Sequence, residues 1–109
     1  MTPKIKAGLE ALSACADACD YCASACLQEQ DVAMMARCIA LDMDCAAICR
    51  TAAGTMARGS EFAGSICQIC AQICQACGQE CARHQHEHCQ QCARACERCA
   101  DACRQMAAA

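Results

Sequence analysis

The sequence predicts an all-α protein: an antiparallel up-down-up-down bundle of four helices with a cysteine-lined core, residues 1–109 forming one domain. Three observations carry this expectation. There is one Pro and there are five Gly, against abundant Ala, Gln and Glu, which is a helix-forming composition. Cysteines and apolar residues recur at intervals of three and four, the spacing that gathers side chains on one helix face. Three breaks divide the chain into four segments, each of about 20 to 25 residues, a usual length for a bundle helix.

The first helix is expected to start at Thr2-Pro3, a capping hydroxyl followed by Pro at the first helical position. Ile5, Leu9, Leu12, Cys15, Cys19, Cys22 and Cys26 then keep helical spacing. The run LQEQD, Leu27 to Asp31, ends it, and Asp31 is expected to cap the second helix. That helix carries Met34 or Met35, then Cys38, Cys45, Cys49 and Met56, and stops between Gly54 and Gly59. Between Cys38 and Cys45 the inward place falls to Leu41 or Asp42. An unpaired buried carboxylate is costly, so Asp42 is expected outward or at an edge with Leu41 facing in; the alternative is that it helps to hold metal in the middle of the tube.

Ser60 is expected to cap the third helix, whose inward line is Phe62, Ile66, Cys67, Cys70, Cys74, Cys77 and Cys81. The segment RHQHEH, Arg83 to His88, turns the chain. The fourth helix brings Cys89, Cys92, Cys96, Cys99, Cys103 and Met106. Antiparallel registration sets Cys22 level with Cys38, Cys15 with Cys45, Cys77 with Cys92, Cys74 with Cys96 and Cys70 with Cys99. One end should be a hydrocarbon plug of Ile5, Leu9, Leu12, Met56, Phe62, Ile66 and Met106. The other should gather Cys26, Cys81, Cys89, Met34, Met35 and His86. Ile66, Ile69 and Ile73 form a second apolar line on the third helix, and Ile39, Met43 and Ala47 one on the second. Both could flank the core or meet a neighbouring subunit.

Composition excludes several classes. Net charge is -3, the nine Lys and Arg are scattered, and aromatic residues are nearly absent, so nucleic acid is not an expected partner. No apolar run reaches the roughly 18 residues of a membrane span. The N-terminal MTPKIKAGLEAL has neither a signal-peptide core nor a twin arginine, so a cytosolic setting with reduced thiols is expected. No Ser-His-Asp set, phosphate loop or lone Cys-His pair suggests an enzyme.

Seventeen cysteines in 109 residues demand an explanation. Free Cys packs as a small hydrophobe, but Leu would bury more area at each position. Disulfides within a helix would be strained, since Cβ atoms about 3.8 Å apart are needed and neighbours on one face lie about 5 to 6 Å apart. Thiolates are also soft metal ligands that select Cu(I), Zn(II) or iron-sulfur clusters. Zinc favours closed tetrahedral sites, often on CxxC knuckles, and iron-sulfur ligands sit in loop runs. Cu(I) accepts few ligands, so thiolates can bridge ions along a continuous stripe. The reading is a store for multiple Cu(I) ions held by all seventeen cysteines. Met34, Met35 and His86 would be entry ligands, and His84 and His88 would be solvated. A carrier or small thiol would donate the copper. A zinc- or cadmium-buffering, metallothionein-like protein is the alternative.

The series CADACDYCASAC, CQICAQICQACGQEC and CQQCARACERCADAC resembles the bacterial copper storage proteins over most of the chain, from about Leu12 to Met106. The resemblance implies a four-helix bundle filled with Cu(I)-binding thiolates, assembly as a tetramer and, without a twin-arginine signal, the cytosolic branch. Helix two departs from the pattern, having only Cys38, Cys45 and Cys49.

Overall fold

In the computed structural model, which describes residues 1–108, four helices follow one another: α1 Pro3–Cys26, α2 Ala36–Arg58, α3 Ala63–Ala82 and α4 Glu87–Ala108. A short 3-10 turn, Val32–Met35, leads into α2. Each helix packs on its sequence neighbours, and α4 closes the ring against α1. This is the expected up-down-up-down bundle, 44 Å long and 20 × 18 Å across. No described helix is long and apolar enough to cross a membrane.

The helix ends follow local chemistry. Thr2 Oγ1 accepts from the Ile5 backbone N–H at 3.2 Å, and Pro3 needs no partner for a missing donor. Gly59, at φ 66°, ends α2: its N–H reaches the Met56 carbonyl and the Ser60 N–H reaches that of Thr55 at 2.9 Å. Only Gly adopts this left-handed geometry without a Cβ penalty. Ser60 Oγ accepts from the Phe62 N–H at 3.1 Å, but α3 begins only at Ala63. Asp31 does not cap α2, because the 3-10 turn intervenes and its side chain makes no capping bond.

Cysteine fills the interior. All seventeen are buried and unbridged, accompanied by Leu12, Met35 and a line of alanines that lets the helices approach. The plug at one end holds Leu12 and Met56 inside, with Ile5, Leu9, Ile66 and Met106 packed against them. Phe62 does not join it and is 61% exposed, since it precedes the helix whose period would have turned it inward. Along the second apolar lines, Ile39, Ile66 and Ile73 pack against the core, whereas Met43 and Ile69 face outward.

Candidate metal centre

The thiols form one connected column. Nearest the loop end, the Sγ atoms of Cys22, Cys26, Cys38 and Cys89 all lie within 4.8 Å of one another. The groups Cys19–Cys77–Cys92–Cys96, Cys15–Cys19–Cys45–Cys96 and Cys15–Cys49–Cys74–Cys99 meet the same limit. The second group shares Cys19 and Cys96 with the third, and the third shares Cys15 with the fourth. The first is joined to the second through Cys38–Cys81 at 3.3 Å and Cys81–Cys77 at 3.9 Å, so the column has no gap. Individual separations include 3.3 Å for Cys38–Cys81, 3.5 Å for Cys45–Cys74 and 3.7 Å for Cys49–Cys70. The expected pairings of Cys15 with Cys45, Cys22 with Cys38 and Cys77 with Cys92 are present. The column ends toward the plug at Cys67 and Cys103, which are also buried.

The separations are van der Waals contacts between thiols, well beyond the roughly 2.05 Å of a disulfide. Burial pushes the Cys67 and Cys89 thiols up, and that of Cys26 to about 11. Deeper in the column the shifts oppose one another. Hydrogen bonding led by Cys15 holds Cys45 low, and the same neighbour pushes Cys19 up. A first thiolate is stabilised by surrounding S–H donors and then keeps the next group protonated.

Asp42 overturns the expectation of an edge position. It is fully buried, at 0% exposure, among the thiols. Cys77, Cys92 and Cys81 donate to its Oδ1 at 3.1, 3.3 and 3.4 Å, and Cys38 lies 3.9 Å from Oδ2. The carboxylate therefore has partners, and its burial does not carry the cost of an unpaired group. With Cys22, Cys81 and Cys92 it forms a further group whose candidate ligand atoms lie within 4.8 Å of one another. Desolvation, aided by charge on Cys92, pushes its carboxyl up to about 8.

The histidines also differ from expectation. His86 turns both ring nitrogens to acids, Nδ1 to Glu29 at 3.3 Å and Nε2 to Asp31 at 3.2 Å. It sits ahead of α4, where helical spacing does not apply. His88 takes the inward place instead. Its Nδ1 lies 3.5 Å from Cys89, 3.6 Å from Cys22 and 3.8 Å from Cys26. His84 is not free in solvent either, its Nε2 lying 2.7 Å from buried Glu80. Glu80 is also joined by Arg37 of α2 at 3.2 Å and by Arg83 at 3.4 Å, and its carboxyl is held below the usual range, chiefly by His84. Met34 projects outward and Met35 is fully buried.

The sequence held a signal for His88: it lies four residues before Cys92, on the cysteine stripe, and just inside α4. Asp42 lay on the stripe by the same arithmetic. Glu80 had no such signal, because its burial depends on Arg37 from a distant segment.

A bundle whose interior is thiol rather than hydrocarbon defines a binding protein for thiophilic metal ions. The chain matches the copper storage protein family, Csp, over residues 1–108 and belongs to it. Its fold is shared with the Cu(I)-bound copper storage protein BsCsp3, of Bacillus subtilis, at 46% identity and TM-score 0.91, covering 95% of this chain and 98% of that one. It is also similar to a cytosolic copper storage protein from Streptomyces lividans with five coppers, at 42% identity and TM-score 0.94, over 97% of this chain and 93% of that one. The Streptomyces protein Ccsp loaded with 10 copper equivalents aligns at 42% identity and TM-score 0.93, over 96% of this chain and 84% of that one. No curated protein matches the chain.

Proposed function

We propose that this protein is a cytosolic store for Cu(I), holding many ions as cargo through the thiolates of its seventeen cysteines. The observation that carries the reading is the continuity of the column: the three deeper four-thiol groups share cysteines, and the loop-end group joins them through Cys38, Cys81 and Cys77. Zinc would use separate closed quartets. Cu(I), with its low coordination number, can occupy adjacent places while each thiolate bridges two ions, giving a capacity of about one ion per cysteine by soft-ligand preference. The copper-bound Bacillus and Streptomyces relatives support the choice of metal. The role is storage rather than catalysis, in keeping with the family's description.

Copper would arrive on a carrier or small thiol at the loop end. The assigned entry group is His88 with Cys22, Cys26 and Cys89, and Met34 offers an outer thioether nearby in sequence. Met35, although buried, is the second thioether of that end. His86 is better placed to organise the loop than to bind metal. Ions then pass inward by exchange between neighbouring thiolates, each losing its proton as it binds. The single bundle spans residues 1–109 and associates as a homotetramer, for which exposed Met43 and Ile69 are candidate contact residues.

The test is an anaerobic Cu(I) titration of fully reduced protein against a competing chromophoric chelator. A storage protein binds more than about ten ions tightly, as shared soft-thiolate sites require. Saturation at one to four would reject storage in favour of a single exchangeable or zinc-type site. His88→Ala should slow loading and leave final capacity within about one ion of the parent.

A further inference from the structure

His88 has a second face. Its Nε2 lies 3.3 Å from Oε1 of Glu29, a residue of the α1–α2 loop. The other oxygen of the same carboxylate receives Nδ1 of His86 at 3.3 Å. The two imidazoles are stacked, with centroids 5.3 Å apart and planes at 4°. His88 is only 12% exposed, so little water is available to replace these partners.

We infer that Glu29 is a positioning residue that fixes His88 in the Nε2–H tautomer and so presents a bare Nδ1 to Cys22, Cys26 and Cys89. This rests on the reading of His88 as the entry ligand. An ionised carboxylate only accepts, so a nitrogen facing it must carry hydrogen. Neutral imidazole has one N–H, and placing it on Nε2 leaves a lone pair on Nδ1. Three thiols face that lone pair, with Sγ atoms at 3.5 to 3.8 Å where an S–H can donate to it. The opposite tautomer would set N–H against S–H on one side and a lone pair against a carboxylate on the other.

The arrangement serves a soft cation directly. Before copper arrives, Nδ1 accepts from the thiols. When copper arrives, the same lone pair is available without loss of a ring proton, and Glu29 raises its basicity through the far nitrogen. His86 and Asp31 brace the carboxylate and its loop. Asp31 touches only His86 of the two rings, at 3.2 Å from Nε2, which provides a control.

Long-range proton–nitrogen correlation spectra of 15N-labelled apo protein at neutral pH report the His88 tautomer. The parent should show protonated Nε2 and unprotonated Nδ1. Glu29→Ala should give a tautomer mixture, Glu29→Gln should restore the parent form in part through its amide carbonyl, and Asp31→Asn should leave it unchanged. Circular dichroism should be alike in all four. In stopped flow with Cu(I) supplied as its bicinchoninate complex, Glu29→Ala should take up the first equivalent about tenfold more slowly, the usual effect of losing such an outer partner, at unchanged capacity. A protonated Nδ1 in the parent, or a His88 tautomer indifferent to Glu29→Ala, overturns the inference. If the tautomer does depend on Glu29 but His88→Ala loads at the parent rate, the entry role falls and the tautomer control stands.

Discussion

Asp42 Oδ1 lies 3.1 Å from Cys77 Sγ, inside a column otherwise made of thiols. Its carboxyl is pushed up from an ordinary value near 3.8 to about 8, mainly by desolvation. Between those values the folded protein keeps a proton that the unfolded chain has released. Stability of the reduced apo protein should therefore fall as pH rises through this window, by up to about 1.4 kcal/mol per pH unit from this group. Asp42→Asn cannot titrate, so it should flatten the dependence and be the more stable form at pH 8. Urea denaturation from pH 5 to 8 checks this; parallel curves for the two proteins would refute it.

Copper retention should have the reverse dependence. Burial raises thiols such as Cys26, to about 11, and Cu(I) must displace their protons. Affinity should weaken as pH falls, roughly tenfold per pH unit for each proton displaced. Competition titrations at several pH values, corrected for protonation of the chelator, measure the slope.

Capacity should be divisible. Cys19, Cys74 and Cys96 lie on three helices; Cys19 and Cys96 share two groups, and Cys74 belongs to a third that overlaps one of them through Cys15. Replacing all three by Ala should remove a few ions and cost about 1 kcal/mol per site, the scale of deleting one buried heavy atom. The circular dichroism spectrum should remain helical. Loss of all copper binding would show that the column fills only as a unit.

Two glycines inside helices should respond oppositely to alanine. A Cβ at Gly78 would meet Cys96 Cβ at 3.2 Å and the Ala93 carbonyl at 3.5 Å. These atoms belong to the stiff α3–α4 contact, so Gly78→Ala should destabilise by about 1 to 3 kcal/mol. At Gly8 the nearest atom is Met56 Sδ at 3.2 Å, the end of a flexible side chain that can move aside. Gly8→Ala should then gain up to about 1 kcal/mol of helix propensity. Urea midpoints of the two variants decide both.

The bundle and its thiol interior were legible because helical spacing acts locally. Cys67, Cys70, Cys74, Cys77 and Cys81 must share a face wherever α3 packs, and Thr2, Pro3 and Gly59 act on backbone atoms within a few residues. The arithmetic fails where the helix has not begun. Spacing alone gives Phe62 and His86 inward places, yet each lies just before the helix whose period would turn it inward.

By itself, then, the sequence determined which residues share a stripe and that the stripe is sulfur. The tertiary structure decided what the stripe encloses. Asp42 could enter only because α3 and α4 bring Cys77, Cys81 and Cys92 to one of its oxygens. His88 could face the thiols because the α1–α2 loop brings Glu29 behind it. The cost of burying a polar group depends on partners far away in the chain, and those partners exist only once the helices have met.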